Sequence, residues 1–257
     1  MQHGPLRNAY LDALGIDRWV PRNAPAEVLP EPAVAPRVEA PAVPARAPLA
    51  PAAVPQAPVV SKAPVLEPGI DWGPLRERVA SCTACDLCKT RTQTVFGVGN
   101  TRSDWLIIGE APGAEEDRQG EPFVGRAGQL LNAMLLAIGL PRETVFIANI
   151  LKCRPPGNRD PKPEEVVRCL PYLQAQIALL KPKIMLAVGR IAAQNLLATD
   201  APLARLRGKL HSFGAANTPL VITYHPAYLL RTPADKRKAW EDLKFARATY
   251  QQLAGVN

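Results

Sequence analysis

The residues able to do chemistry fall into three groups. Five cysteines appear: Cys82, Cys85 and Cys88 in "CTACDLC", then Cys153 in "LKCRPP" and Cys169 in "VVRCLP". Two closely spaced thiols plus two distant ones can supply four thiolates, which suits a tetrahedral zinc ion or a cubane iron–sulfur cluster, so spacing alone does not choose the metal. The second group is a carboxylate, an amide and an imidazole: Glu110 in "GEAPG", Asn149 in "TVFIANIL" and His225 in "YHPAYLL". The third is a pair of loops. In "GEAPGAEED" the glycines Gly109 and Gly113 permit close backbone approach to a ligand, and in "EPFVGRAGQ" Phe123 stands between turn residues as a ring that can stack on a flat partner. Neither loop has Walker or dinucleotide spacing, so ATP and NAD are not favoured ligands.

These groups must be held by a scaffold, and the apolar pattern supplies one. Short apolar runs at "DWLIIGEA", "TVFIANIL", "KIMLAVG" and "LVITYH" read as strands, while "GQLLNAMLLAIG", "KPEEVVRCLPYLQAQIALL", "RIAAQNLL" and "KRKAWEDLKFARATYQQL" read as helices. Strands alternating with helices imply a parallel sheet covered on both faces. The expected fold class is α/β: a three-layer α/β/α sandwich with a central four-stranded parallel sheet, preceded by a disordered Pro/Ala-rich N-terminal linker. In such sheets ligands sit beyond the carboxyl ends of the strands, which is where Glu110, Asn149 and His225 interrupt their runs. Singly, each has a plainer reading as a cap carboxylate, a turn former or a strand-end hydrogen bonder. Together on one sheet edge they form a candidate site.

Composition divides the chain further. Of 28 prolines in 257 residues, twelve lie between Pro25 and Pro68, a density that favours extended polyproline II and a linker. The expected organisation is a short peptide over 1–23, a linker over 24–68 and a folded domain over 69–257. Residues 1–68 carry equal numbers of acidic and basic side chains, so the net charge of +8 belongs to the folded part and points to a polyanion such as nucleic acid. The segment "YLDALGIDRWVPRN" places Tyr10, Leu11 and Leu14 on one helical face, the pattern of a peptide that docks in a partner's groove. The sequence lacks a run of eighteen apolar residues and a signal peptide's basic start, so a cytoplasmic protein is expected, in which a metal site outranks disulfides.

The motifs "GEAPGAEEDRQGEPFVGRAGQLLN", "NILKCRPPGNRDP" and "HPAYLLR", in this order and with these cysteines, resemble family 4 uracil-DNA glycosylases over roughly residues 74 to 250. The resemblance implies an α/β/α repair enzyme with a [4Fe-4S] cluster on Cys82, Cys85, Cys153 and Cys169, Cys88 standing outside the family's pattern. It implies that the nucleotide is flipped out of the stack, that Phe123 stacks on uracil, that Asn149 reads its edge, and that Ala111 and Gly113 line the substrate pocket. It further implies that His225 stabilises charge on the departing base and that Glu110, or secondarily Glu116 or Asp117, orients the water. Leu229 and Leu230 resemble an apolar wedge entering the duplex, with Arg231 contacting DNA beside them. Arg126, Arg154 and Arg159 are further candidates for phosphate contact.

The expected reaction is hydrolysis of the N-glycosidic bond of deoxyuridine in DNA. Expected partners are uracil-containing DNA and a replication or repair protein bound by residues 8–20, with no membrane and a monomeric chain. Two competing readings are a non-catalytic iron–sulfur DNA-binding adaptor recruited through the N-terminal peptide, and a glycosylase for another deaminated base.

Overall fold

A computed structural model describes residues 66–67 and 69–255. The docking peptide expected over 1–23, and the linker apart from Leu66 and Glu67, lie outside the described residues.

The sheet is built from the four expected runs and two short additions. In chain order the strands are β1 (Val98–Gly99), β2 (Trp105–Gly109), β3 (Phe146–Asn149), β4 (Ile184–Val188), β5 (His211–Phe213) and β6 (Thr218–Thr223), arranged β1-β3-β2-β4-β6-β5. The central four, β3-β2-β4-β6, are parallel. The expected four-stranded sheet therefore becomes six-stranded, because β1 and β5 add antiparallel pairings at its two edges. Two and three residues are too few to show an alternation, so these edge strands leave no periodic signal.

The central strands are apolar throughout because both faces are covered. Alternation along each strand assigns the faces: Leu106, Ile108, Met185, Ala187, Leu220 and Ile222 point one way, and Ile107, Ile147, Ile184, Leu186 and Val221 point the other. Helices α1 (Trp72–Ala80), α4 (Pro163–Leu180) and α5 (Arg190–Leu197) cover the first face through residues such as Leu75, Leu173 and Ala193. Helices α3 (Arg126–Ala137) and α8 (Lys236–Ala254) cover the second through Leu131, Leu135, Leu243 and Ala246. These layers are the expected α/β/α sandwich. Leu66 already packs against the first face, three residues ahead of Gly69.

The remaining helices are short: α2 (Ala114–Gln119), α6 (Leu203–Leu206) and α7 (Pro226–Arg231). Beyond α6, Arg207 grips Asp242 of α8 with two hydrogen bonds of 3.0 and 2.8 Å, a bidentate pair that ties the closing helix to the sheet edge. Among the described residues no helix is long and apolar enough to cross a membrane.

Helix α3 offers a direct test of which face carries the stability. Leu131 is fully buried while Leu136 is 64% exposed. Leu131→Ala should lower the unfolding free energy by about 2–5 kcal/mol, and Leu136→Ala by less than about 0.5 kcal/mol. Urea unfolding of both variants checks this. Equal losses would contradict the assigned packing.

Candidate active site

A cavity of about 780 Å³ opens beyond the carboxyl ends of the parallel strands. Glu110, Ala111, Gly113, Glu116, Phe123, Asn149, His225 and Arg231, chosen above from scattered positions, all line it. The strand register explains their meeting. Gly109 pairs with Asn149, and the ladder runs on as Ile150 N donates to Gly109 O and Leu151 N to Glu110 O, each at 3.0 Å. Glu110 and Asn149 therefore leave adjacent strands side by side.

Asn149 is 2% exposed, and its Oδ1 has no hydrogen-bond partner. Trp105 Nε1 and Thr223 Oγ1 are also unpartnered buried atoms among the described residues, but neither residue lines the cavity. A buried acceptor without a donor is costly, and Asn149 lines the cavity, so a ligand N–H that reached this oxygen would relieve that cost.

Phe123 supplies the cavity's flat wall in a strained way. Its φ is +54°, unusual for a bulky residue. Two side chains hold that conformation from behind. Arg142 donates to Phe123 O at 3.2 Å and to Pro122 O at 2.6 Å, while Glu116 Oε1 accepts from Val124 N at 3.0 Å and Gly125 N at 3.1 Å. Glu116 Oε2 also accepts from Gly113 N at 3.1 Å. The carboxylate named as the second candidate for handling water is thus engaged by three backbone N–H groups. Asp117, the remaining candidate, is buried and accepts from Thr92 N through both oxygens.

The order of His225 and Pro226 follows from the start of α7. His225 is the N-cap, and its Nδ1 accepts from Ala227 N at 3.1 Å. Proline at the first helical position has the required φ and no N–H to compete for that acceptor. With Nδ1 used as an acceptor, the ring proton resides on Nε2. Burial and the nearby Arg231 push the His225 pKa down to about 4, with Glu116 opposing, so the imidazole is neutral at physiological pH. Its ring lies 5.7 Å from that of Phe123. Gly189, at φ +102°, makes room for it, since a Cβ there would stand 2.9 Å from His225 Cβ.

Glu110 is shifted in the other direction. Burial first and Asp160 second raise its pKa to about 7, Arg190 opposing. Asp160 and Arg190 form a 2.7 Å ion pair and also line the cavity.

The expected leucine wedge is divided. Leu229 is 1% exposed and anchors α7 to the core, whereas Leu230 is 37% exposed. Consecutive helical residues do not share a face, so of the two only Leu230 presents an apolar side chain to solvent. Arg231 is exposed beside it. Arg154 contacts Asn158 at 2.7 Å, and Arg159 is bound to Glu165 at 2.5 Å, so neither of these extended arginines is without a protein partner.

A second cavity gathers the cysteines. Cys82, Cys85, Cys88, Cys153 and Cys169 line it together with Arg91, Lys152 and Tyr172. Arg91 Nη1 donates to Cys153 Sγ at 3.0 Å, and the Lys152 backbone N–H donates to Cys169 Sγ at 3.2 Å. Burial pushes the Cys153 thiol up to about 11 and the Cys169 thiol up to about 12, so both need a cation to become thiolates. Among the described residues no three His, Cys, Asp or Glu side chains converge on a single ion position. Five thiols around one cavity can supply the four thiolates that either a tetrahedral zinc ion or a cubane iron–sulfur cluster needs.

Sequence reasoning missed Arg142, Asp160, Gly189 and Arg190. Arg142 opens a short 3-10 helix, Asp160 lies in an irregular stretch within "NILKCRPPGNRDP", and Gly189 and Arg190 follow β4, where no periodicity marks a site residue.

The comparisons agree with this geometry. Residues 96–244 match the model of the uracil DNA glycosylase superfamily. The chain is 45% identical over 172 residues to the type-4 uracil-DNA glycosylase of Archaeoglobus fulgidus, covering 65% of this chain and 86% of that protein. It is 44% identical over 180 residues to the type-4 enzyme of Pyrobaculum aerophilum, covering 68% and 92%, and 41% identical over 175 residues to that of Thermotoga maritima, covering 67% and 91%. With the family model spanning more than half of its length and type-4 relatives matched over nearly their whole lengths, this chain belongs to the type-4 branch of the uracil-DNA glycosylase superfamily.

Proposed function

We propose that the protein hydrolyses the N-glycosidic bond of deoxyuridine in DNA, releasing uracil and leaving an abasic site for base excision repair. The observation that carries this reading is the orphaned Oδ1 of Asn149. An asparagine amide presents one acceptor and a pair of donors. Uracil presents the complement, an N3–H donor beside the O4 acceptor. Cytosine presents the reverse, an N4 amino donor beside an unprotonated N3, and would leave Oδ1 facing a lone pair.

The base reaches this cavity by flipping, because a stacked base hides its reacting bond, and Leu230 fills the vacated space in the duplex. Phe123 stacks on the flipped ring. Negative charge builds on uracil O2 as the glycosidic bond breaks, and the neutral Nε2–H of His225 donates to that atom. This contact strengthens only as the charge develops, so it lowers the barrier rather than merely binding substrate. On the sugar side, Glu110 orients the attacking water and its carboxylate faces the oxocarbenium-like centre. Glu116 is a positioning residue that holds the Phe123 loop. Arg231, Arg126, Arg154 and Arg159 contribute to the phosphate-binding surface.

The cysteine cavity holds a [4Fe-4S] cluster on Cys82, Cys85, Cys153 and Cys169. When bound, the cluster supplies a thiolate cross-link among the segment after α1, the loop after β3 and helix α4, in a structural role without electron transfer.

Single-turnover uracil release from a labelled oligonucleotide tests the site. His225→Ala should lose about 10²–10³-fold, and Glu110→Ala should lose less, because an early-departing uracil anion reduces the need for a strong base. Glu110 must be ionised to act, so the wild-type rate should rise with pH, reach half its maximum near pH 7 and level off about one unit above it. His225, with its pKa near 4, contributes no limb in that range. Glu110→Gln should abolish the rise. A pH-independent wild-type rate, or a larger loss at Glu110 than at His225, would overturn these roles.

The N-terminal segment is a tethered docking peptide in this proposal: residues 8–20 bind a replication or repair protein, and the Pro/Ala-rich stretch holds the enzyme at high local concentration. Deleting residues 1–65 should leave oligonucleotide cleavage by the purified enzyme unchanged and remove its enrichment at replicating DNA in cells. Unchanged enrichment would refute the docking role.

A further inference from the structure

Lys152 is a buried charged side chain for which the proposed reaction has no use. It is 1% exposed. Its Nζ donates to Asn149 O at 2.9 Å and to Gln176 Oε1 at 2.7 Å, and Gln176 Nε2 donates onward to Phe96 O at 2.9 Å. All of these partners are neutral. Among the described residues no carboxylate pairs with Lys152, and the ionisable groups that act on it are Cys169 and Cys153.

Buried ammonium groups are costly without a counter-charge, and neutral acceptors satisfy only the hydrogen bonds. Burial alone works against the ammonium, and the ionisable groups that oppose this are the thiols of the cysteine cavity, which Lys152 also lines, so that cavity is where a counter-charge can arise. Four thiolates outweigh the positive charge of an iron–sulfide core, so a loaded site there is net anionic.

We propose that Lys152 is the internal counter-cation of the iron–sulfur site and the strut through which that site positions Asn149. The inference rests on the cluster and uracil readings given above. Lys152 belongs to both sites: its backbone N–H binds Cys169 Sγ at 3.2 Å, and its ammonium reaches back three residues to the carbonyl of Asn149. A charge held near the cluster thus also fixes the backbone of the residue whose amide reads the base. Lys152 is a positioning residue, since the backbone O it binds is not the atom that meets substrate.

The test uses the full-length, cluster-loaded protein and three variants. Lys152→Met keeps the length and removes the charge, Lys152→Arg keeps the charge, and Gln176→Met removes only a neutral partner. A cation beside the cluster stabilises its reduced, more negative state. Lys152→Met should therefore show a more negative midpoint potential, iron retention against a chelator weakened by about 10–100-fold, and weaker inhibition by free uracil. Lys152→Arg should restore the potential, and Gln176→Met should leave it at the wild-type value. If Lys152→Met cannot be loaded, loading of Lys152→Arg under the same conditions supports the need for charge, and failure of both overturns it in favour of shape. A wild-type potential in Lys152→Met, or an equal shift in Gln176→Met, overturns the proposal and leaves the cluster reading intact. Wild-type protein without an iron–sulfur centre overturns both.

Discussion

The site depends on a missing Cβ. At Gly109, the last residue of β2, an added Cβ would lie 2.3 Å from Asn149 Oδ1 and 2.6 Å from Phe123 Cζ. No side chain can relieve both contacts, because one neighbour is fixed by the parallel ladder and the other by the clamp of Arg142 and Glu116. The absence of that one atom lets Asn149 and Phe123 stand at the same corner of the cavity. Gly128 serves the same purpose beneath Phe123, where a Cβ would fall within 1.9 Å of the carbonyl oxygen. A strained aromatic residue is tolerated there because the surrounding contacts over-determine it.

Around this corner the charge states are separated by environment. Burial and a nearby arginine keep His225 neutral, so its Nδ1 can accept from Ala227 N while its Nε2–H remains a donor, and burial and Asp160 hold Glu110 near the point of ionisation. Two groups with pKa values displaced in opposite directions in one cavity are a recurring arrangement for dividing acid and base work. The Asp160–Arg190 pair and Arg231, which also line the cavity, adjust these values.

Much of this was legible because the central strands are covered on both faces. In "WLIIGE" and "FIAN" the first polar side chain after an apolar run marks the strand's end, whereas in "LVITYH" the strand ends at the buried Thr223 and His225 follows as a helix N-cap; the ends of parallel strands converge. Other features leave no such mark. Glu116 lies one residue from Asp117, and nothing in "GAEED" distinguishes a loop clamp from a water-orienting base until backbone N–H groups are seen to converge on it. Leu229 and Leu230 are identical in type, and only the orientation of α7 buries one and exposes the other. The strands β1 and β5 are too short for periodicity, and Arg142 acts across twenty residues of sequence on Pro122.

The claim at the centre of this account is that Asn149 Oδ1 awaits an N3–H. Free uracil and 3-methyluracil have similar rings and the same O2 and O4 acceptors, but the methylated compound lacks that donor. Isothermal titration of the purified enzyme with each measures the difference directly. Uracil should bind and 3-methyluracil should lose at least about tenfold in affinity, the amount expected when a buried acceptor is left unpaired. If an N1-substituted uracil that keeps N3–H binds no better than 3-methyluracil, bulk rather than hydrogen bonding decides affinity, and the reading of Asn149 is contradicted.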